Sequence, residues 1–365
     1  MPDLRPKARL PLLIAAMLCL LGGVLAGLAR LAWNVPAVAL NASGWHGALM
    51  ITAFLGTVIS LERAVAIGQR LAYLAPATAG LGGLLALAGQ PIQWTLLLSV
   101  VAGVIMLGAT TQVLKRLVAP FTVVLTLGAA CWLAGNLVWW ITGILNLAVP
   151  WWLAFLVLTI AGERLEMTRF LPTPKLAHTL FFWITGSMLT GATVALFSEP
   201  AGLALFSVSL LGLALWLLRY DIARRNIHQH GLTRFIAACL LSGYLWLGLA
   251  GVIGLAGGFS AGHPWHDAAI HTVCLGFVFA MIFGHAPIIF PAVAKVKIAY
   301  QPVFYLPLLL LHASLALRVT GVFQHDFALR RLGGLCNGIT LLLFIAIMLY
   351  SILQGRQTAP KPRTP

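Results

Sequence analysis

Along the chain, long apolar runs alternate with short polar or Gly/Pro-rich breaks. A bilayer core is about 30 Å thick, so a spanning helix needs roughly 20 apolar residues. Twelve runs meet that length, at approximately 10–33, 45–66, 71–89, 94–114, 121–142, 150–170, 176–197, 203–220, 235–258, 268–290, 302–323 and 332–353. Prolines punctuate their ends: Pro36, Pro91, Pro120, Pro172, Pro174, Pro200, Pro264 and Pro291. The pattern predicts an all-α polytopic membrane protein with 12 transmembrane helices, formed as one integral domain over residues 1–365. It leaves a short N-terminal segment (1–9) and a C-terminal tail (354–365). The first run follows Arg5, Lys7 and Arg9, as a signal peptide would. Its apolar stretch is too long for a signal h-region, so it is expected to be retained.

Composition agrees: 61% of the 365 residues are hydrophobic and 8% charged, and mean hydropathy is +0.97. A soluble domain carries about 25% charged residues, so a water-soluble globule and a disordered chain are both excluded. The net charge of +15 is explained by topology. With a cytoplasmic N-terminus, all basic residues except Arg30, Arg318, Arg330 and Arg331 fall on the inner side. This is the asymmetry of the positive-inside rule, and it removes the case for a nucleic-acid partner; the lipid bilayer is the partner implied. Cys19, Cys131, Cys239, Cys274 and Cys336 lie singly in apolar runs, which reads as buried thiols rather than disulfides or zinc ligands.

Ionisable residues inside the membrane are candidate functional groups. His228 and His230 belong to a basic inner loop, and His178 begins the seventh run near that face. His263, His266 and Asp267, with His325 and Asp326, occupy outer loops and match no metal-ligand spacing. His46 and His271 stand apart. Each enters a helix running from outside to inside, so the two imidazoles sit at nearly equal depth on parallel helices. Neutral imidazole is a common axial ligand of haem iron, and two rings at matched depth can clamp one haem. Two satisfied polar residues at a helix interface are the alternative. Arg318 and the pair Arg330–Arg331 would then either neutralise haem propionates or anchor the helices at the interface. His285 lies 14 residues after His271, about 21 Å further along the same helix, just before Pro287, where the helix is expected to fray or break. His312 falls in mid-span and needs a partner. With His285 it forms the candidate for a second metal, copper or another haem.

The tenth run, HTVCLGFVFAMIFGHAPIIFP, resembles the tenth helix of haem–copper oxidases, above all the cbb-type and nitric oxide reductase branches. The shared positions are His271, Leu275, Gly276, Val278, Met281, Phe283, Gly284 and Pro291. The second run, WHGALMITAFLG, resembles their second helix through His46, Ala53, Phe54 and Gly56. The resemblance implies twelve helices in three pseudo-symmetric four-helix arcs. It also implies that His46 and His271 are the axial ligands of one low-spin haem b, and that Arg330 and Arg331 hold its propionates. An internal echo fits three arcs: Leu61-Glu62-Arg63 ends the second run and Gly162-Glu163-Arg164 ends the sixth, four spans apart.

The departures limit the chemistry. The family's high-spin haem ligand lies two residues before the low-spin one, and that position here is Ala269. The sixth run has no histidine and the seventh has no His-His pair. No catalytic residue is therefore assigned, and dioxygen or nitric oxide reduction by the family mechanism is not expected. Sparse loops and a histidine-led second helix also resemble the NnrS-type haem- and copper-containing membrane proteins. These likenesses imply a bacterial inner-membrane protein with both termini cytoplasmic, serving electron transfer, redox or nitric oxide sensing, or haem handling. Its partners would be electron-transfer proteins or oxidase subunits. A cofactor-free transporter or assembly factor is the alternative.

Overall fold

The computed structural model describes residues 3–169, 171–172 and 174–357, with the side chains of 355–357 left aside. The tail positions Lys361 and Arg363 thus lie outside the described residues. Among these residues all regular structure is helical. Eleven helices are long and apolar enough to cross a membrane. They are α1 (Pro6–Arg30), α2 (Ser43–Ile67), α3 (Arg70–Leu87), α4 (Ile92–Arg116), α5 (Pro120–Thr142) and α6 (Leu145–Thr168), then α8 (Glu199–Tyr220), α9 (Gly231–Leu255), α10 (His266–Ala294), α11 (Pro302–Phe323) and α12 (Phe327–Gln354). The remaining expected span is α7 (Lys175–Val194). At 20 residues it has the length of a spanning helix. His178, Thr179, Thr185, Ser187, Thr190 and Thr193 make it less apolar than the other eleven.

Local chemistry sets the helix ends. Pro6 and Pro120 occupy first-turn positions of α1 and α5, where a missing N–H costs nothing. Gly68 and Gly143 close α2 and α5 in the left-handed conformation, at φ 70° and 67°. The break expected at Pro287 does not occur: α10 runs on through Pro287 and Pro291 to Ala294. Neighbouring helices hold that segment on several sides, which is how membrane helices tolerate internal proline.

Helices adjacent in sequence pack as antiparallel neighbours, and α6 and α10 are the most buried. Small residues permit the close approaches. A methyl group added at Gly191 on α7 would stand 2.6 Å from the Phe206 backbone nitrogen on α8. Without a hydrophobic drive between helices in lipid, such backbone proximity and interhelical hydrogen bonds hold the bundle. One buried network shows the second device. Asn136 on α5 donates to the Ser99 carbonyl of α4 at 2.7 Å and accepts from Trp152 Nε1 of α6 at 2.9 Å. Its oxygen also accepts from Thr52 on α2, whose hydroxyl accepts from Trp132 Nε1. Four helices are thus joined at a level just inward of His46.

Candidate histidine-pair site

His46 stands three residues into α2 and His271 five residues into α10. Their ring centroids are 6.2 Å apart and their planes are inclined by 17°. Each ring is fixed through Nδ1. His46 Nδ1 lies 2.7 Å from the Gly23 carbonyl of α1, and His271 Nδ1 lies 2.7 Å from the Asp267 carbonyl one turn earlier. A carbonyl only accepts, so in both rings Nδ1 carries the proton and Nε2 keeps its lone pair. Neither Nε2 makes a hydrogen bond among the described residues.

Both histidine helices widen directly below the rings. Leu49–Leu55 in α2 and Thr272–Phe279 in α10 are π-helical, a geometry frequent at functional sites. Phe54 and Phe279 each lie eight residues beyond their histidine. Their centroids lie 6.0 Å apart with planes inclined by 20°, so the two helices repeat a near-parallel ring pair a level deeper.

Around the imidazoles is a cavity between α1, α2, α10, α11 and α12. Glycines shape its wall. A methyl group at Gly27 would lie 2.7 Å from His46 Cε1, and one at Gly334 would collide with Leu31. Outward it meets a vestibule whose rim includes Arg30, Arg318, Arg330, His266 and Asp267.

Asp267 is the hub of that rim. Arg318 grips it with two bonds, Nε to Oδ2 at 2.8 Å and Nη2 to Oδ1 at 2.7 Å. Arg330 approaches the same Oδ1 at 3.4 Å, as does His271 Nδ1. One carboxylate therefore orients two guanidiniums and the backbone turn that holds a histidine, the outer-shell arrangement that fixes ligand rings in metal sites.

Arg318 and Arg330 stand at the vestibule, whereas Arg331 turns away. Its guanidinium lies 4.1 Å over the Trp33 ring and donates to the Ala32 carbonyl. Both residues of the arginine pair belong to α12, which starts earlier than its apolar run. Arg30 takes the place on the rim that Arg331 leaves. Asp267, the residue that orders this region, was read from the sequence only as an outer-loop acid. Its position four residues before His271 puts it on the same helix face and was the available signal.

His285 and His312 do not meet as a metal pair. His312 Nδ1 accepts from Trp246 Nε1 at 2.9 Å and its Nε2 bonds the Ser242 hydroxyl at 2.9 Å, both on α9. His285 bonds the Met281 carbonyl through Nδ1 and meets Arg164 of α6 through Nε2. Every nitrogen of these two rings is engaged. Among the described residues no cluster of three or more His, Cys, Asp or Glu is placed to hold a metal ion.

The chain matches, over residues 9–353, the family model described as Domain of unknown function (DUF8744), and it belongs to that family. No curated protein matches the sequence.

Proposed function

We propose that this DUF8744 chain is a twelve-span membrane protein that holds one b-type haem between His46 and His271. The paired imidazoles carry this reading. Two imidazoles with centroids 6.2 Å apart and planes within 17° of parallel leave room for one metal ion to be held between them. The donor set suits the group as well: two neutral imidazoles whose Nε2 lone pairs are free, each ring oriented by a backbone carbonyl. Gly27, Gly334 and Gly338 keep the wall of the void free of side chains.

When bound, haem supplies one-electron chemistry at iron. The chain's own residues would hold and tune it. His46 and His271 would both be engaged in holding it, which favours electron transfer, redox or nitric oxide sensing, or haem handling over turnover. Arg30, Arg318 and Arg330 present positive charge toward the vestibule for carboxylate groups, and Asp267 keeps Arg318 from swinging into solvent. Leu28, Leu31, Ile51 and Leu341 exclude water from the void.

Counting α7 as a span gives twelve, and the three-arc arrangement is favoured by the inner ends of α2, α6 and α10. The echoed motifs meet there: Arg63 pairs with Glu163, and Arg164 meets His285. The basic inner segments support a bacterial inner-membrane location with cytoplasmic termini. The test is a reduced-minus-oxidised spectrum of the detergent-purified chain from a haem-replete host. Haem bands that are lost in His46→Ala and in His271→Ala support the reading. Absence of bands, or bands unchanged in both variants, ends it.

A further inference from the structure

The end of the bundle opposite the histidine pair carries charges that the proposed haem site does not use. Arg164 and Asp221 form a one-to-one pair, Nε to Oδ2 at 3.0 Å, with side chains 6% and 0% exposed. The other Asp221 oxygen accepts from the Ala223 backbone at 2.7 Å. His285 Nδ1 faces the Met281 carbonyl and its Nε2 faces the Arg164 guanidinium, so this imidazole is neutral and adds no positive charge.

Arg63 is in a different position. One nitrogen, Nη2, is the contact both for Glu163 Oε1 of α6 and, at 3.5 Å, for Glu62 Oε1 of α2. Two carboxylates from two helices therefore converge on a single guanidinium nitrogen. Glu166 of α6 is a third carboxylate within electrostatic reach of Arg63, and the other basic groups here have contacts of their own. Arg9 of α1 binds Asp3 and the Val293 carbonyl, Arg169 lies over Phe121 and 4.0 Å from Glu166, and Arg219 of α8 lies over Tyr220. From α9 the fully buried Tyr244 sets its hydroxyl beside Asp221 of that pair.

We propose that Glu62 and Glu163 share one exchangeable proton, which makes this end of the bundle a proton-binding site supplied from its basic face. Two carboxylates that share a site cannot both ionise cheaply, and such pairs titrate as a unit. With one proton bound, the repulsion between them is relieved and Arg63 balances the remaining negative charge. Arg164 cannot serve as a second cation, because Asp221 already neutralises it. The proton comes from solvent at that face and returns to it. The site joins α2 to α6 and stands independently of any haem.

The test is infrared difference spectroscopy on the full-length purified protein as pH is lowered. One carboxylic-acid carbonyl band, equivalent to one proton per chain, is expected to appear and to shift in D2O. It should vanish in Glu62→Gln and in Glu163→Gln and persist in Glu166→Gln. A wild-type chain with no such band overturns the proposal. So does a band that survives both substitutions, or one that follows sodium concentration rather than pH. If a glutamine variant fails to elute as a single species, Glu62→Asp replaces it and must keep the band at a shifted position.

Discussion

Gly27→Ala is the sharpest probe of the histidine pair, because it changes neither a ligand nor a charge. The new methyl group would stand 2.7 Å from His46 Cε1 and 2.9 Å from Nδ1. To restore an ordinary contact of about 3.5 Å the ring must retreat by about 0.8 Å. His46 is tied to the Gly23 carbonyl at 2.7 Å, so the retreat either breaks that bond or changes the distance to His271. Disturbing such a supporting contact typically costs 10–100-fold in metal affinity, about 1.4–2.8 kcal/mol. The assay is haem per protein after purification, together with the reduced-minus-oxidised spectrum. Gly108→Ala serves as control, since nothing lies within 4 Å of the added methyl. Expected is a haem content that falls for Gly27→Ala alone. Equal content and an unchanged spectrum in both variants would refute the idea that Gly27 sets the ring position.

Other outcomes are equally definite. His285→Ala and His312→Ala should both retain the haem bands, as their ring nitrogens serve Arg164, Trp246 and Ser242; loss of bands in either would return that residue to the metal site. Asp267→Ala leaves buried Arg318 without its carboxylate, so thermal scanning in detergent should show a loss of about 3 kcal/mol. Arg331→Ala, which gives up a ring contact at the surface, should cost under about 1 kcal/mol. Asn136→Leu strands the Trp152 and Thr52 donors; the same scan should show a loss of about 2–3 kcal/mol.

Much of this arrangement is legible in the residues, for reasons that can be traced. Apolar length dominates helix formation in a bilayer, so the spans emerge from run lengths alone, and α7 is ambiguous only because hydroxyl residues dilute it. Depth is also legible, since counting from the end of a run places His46 and His271 at one level. Rotation about the helix axis is not. In helices that are apolar on every side no periodicity marks a face, and so Arg331 could not be told from Arg30 as the rim residue. For the same reason the wide turns of α2 and α10 leave no trace in the sequence. Pro287 misleads because the rule for breaking a helix assumes an isolated one, whereas α10 is enclosed.

Those wide turns have a geometric effect on everything beyond them. A straight helix fixes the direction of its far end once its near end is aimed. Within α10, the slack of eight loosely wound residues frees the two ends from each other, so that His271 is directed at α2 while His285 is directed at α6. A single-residue deletion inside Thr272–Phe279 would tighten the coil to the ordinary pitch and swing one of these imidazoles off its target. The same deletion in α12, where the winding is already regular, would have no such slack to consume.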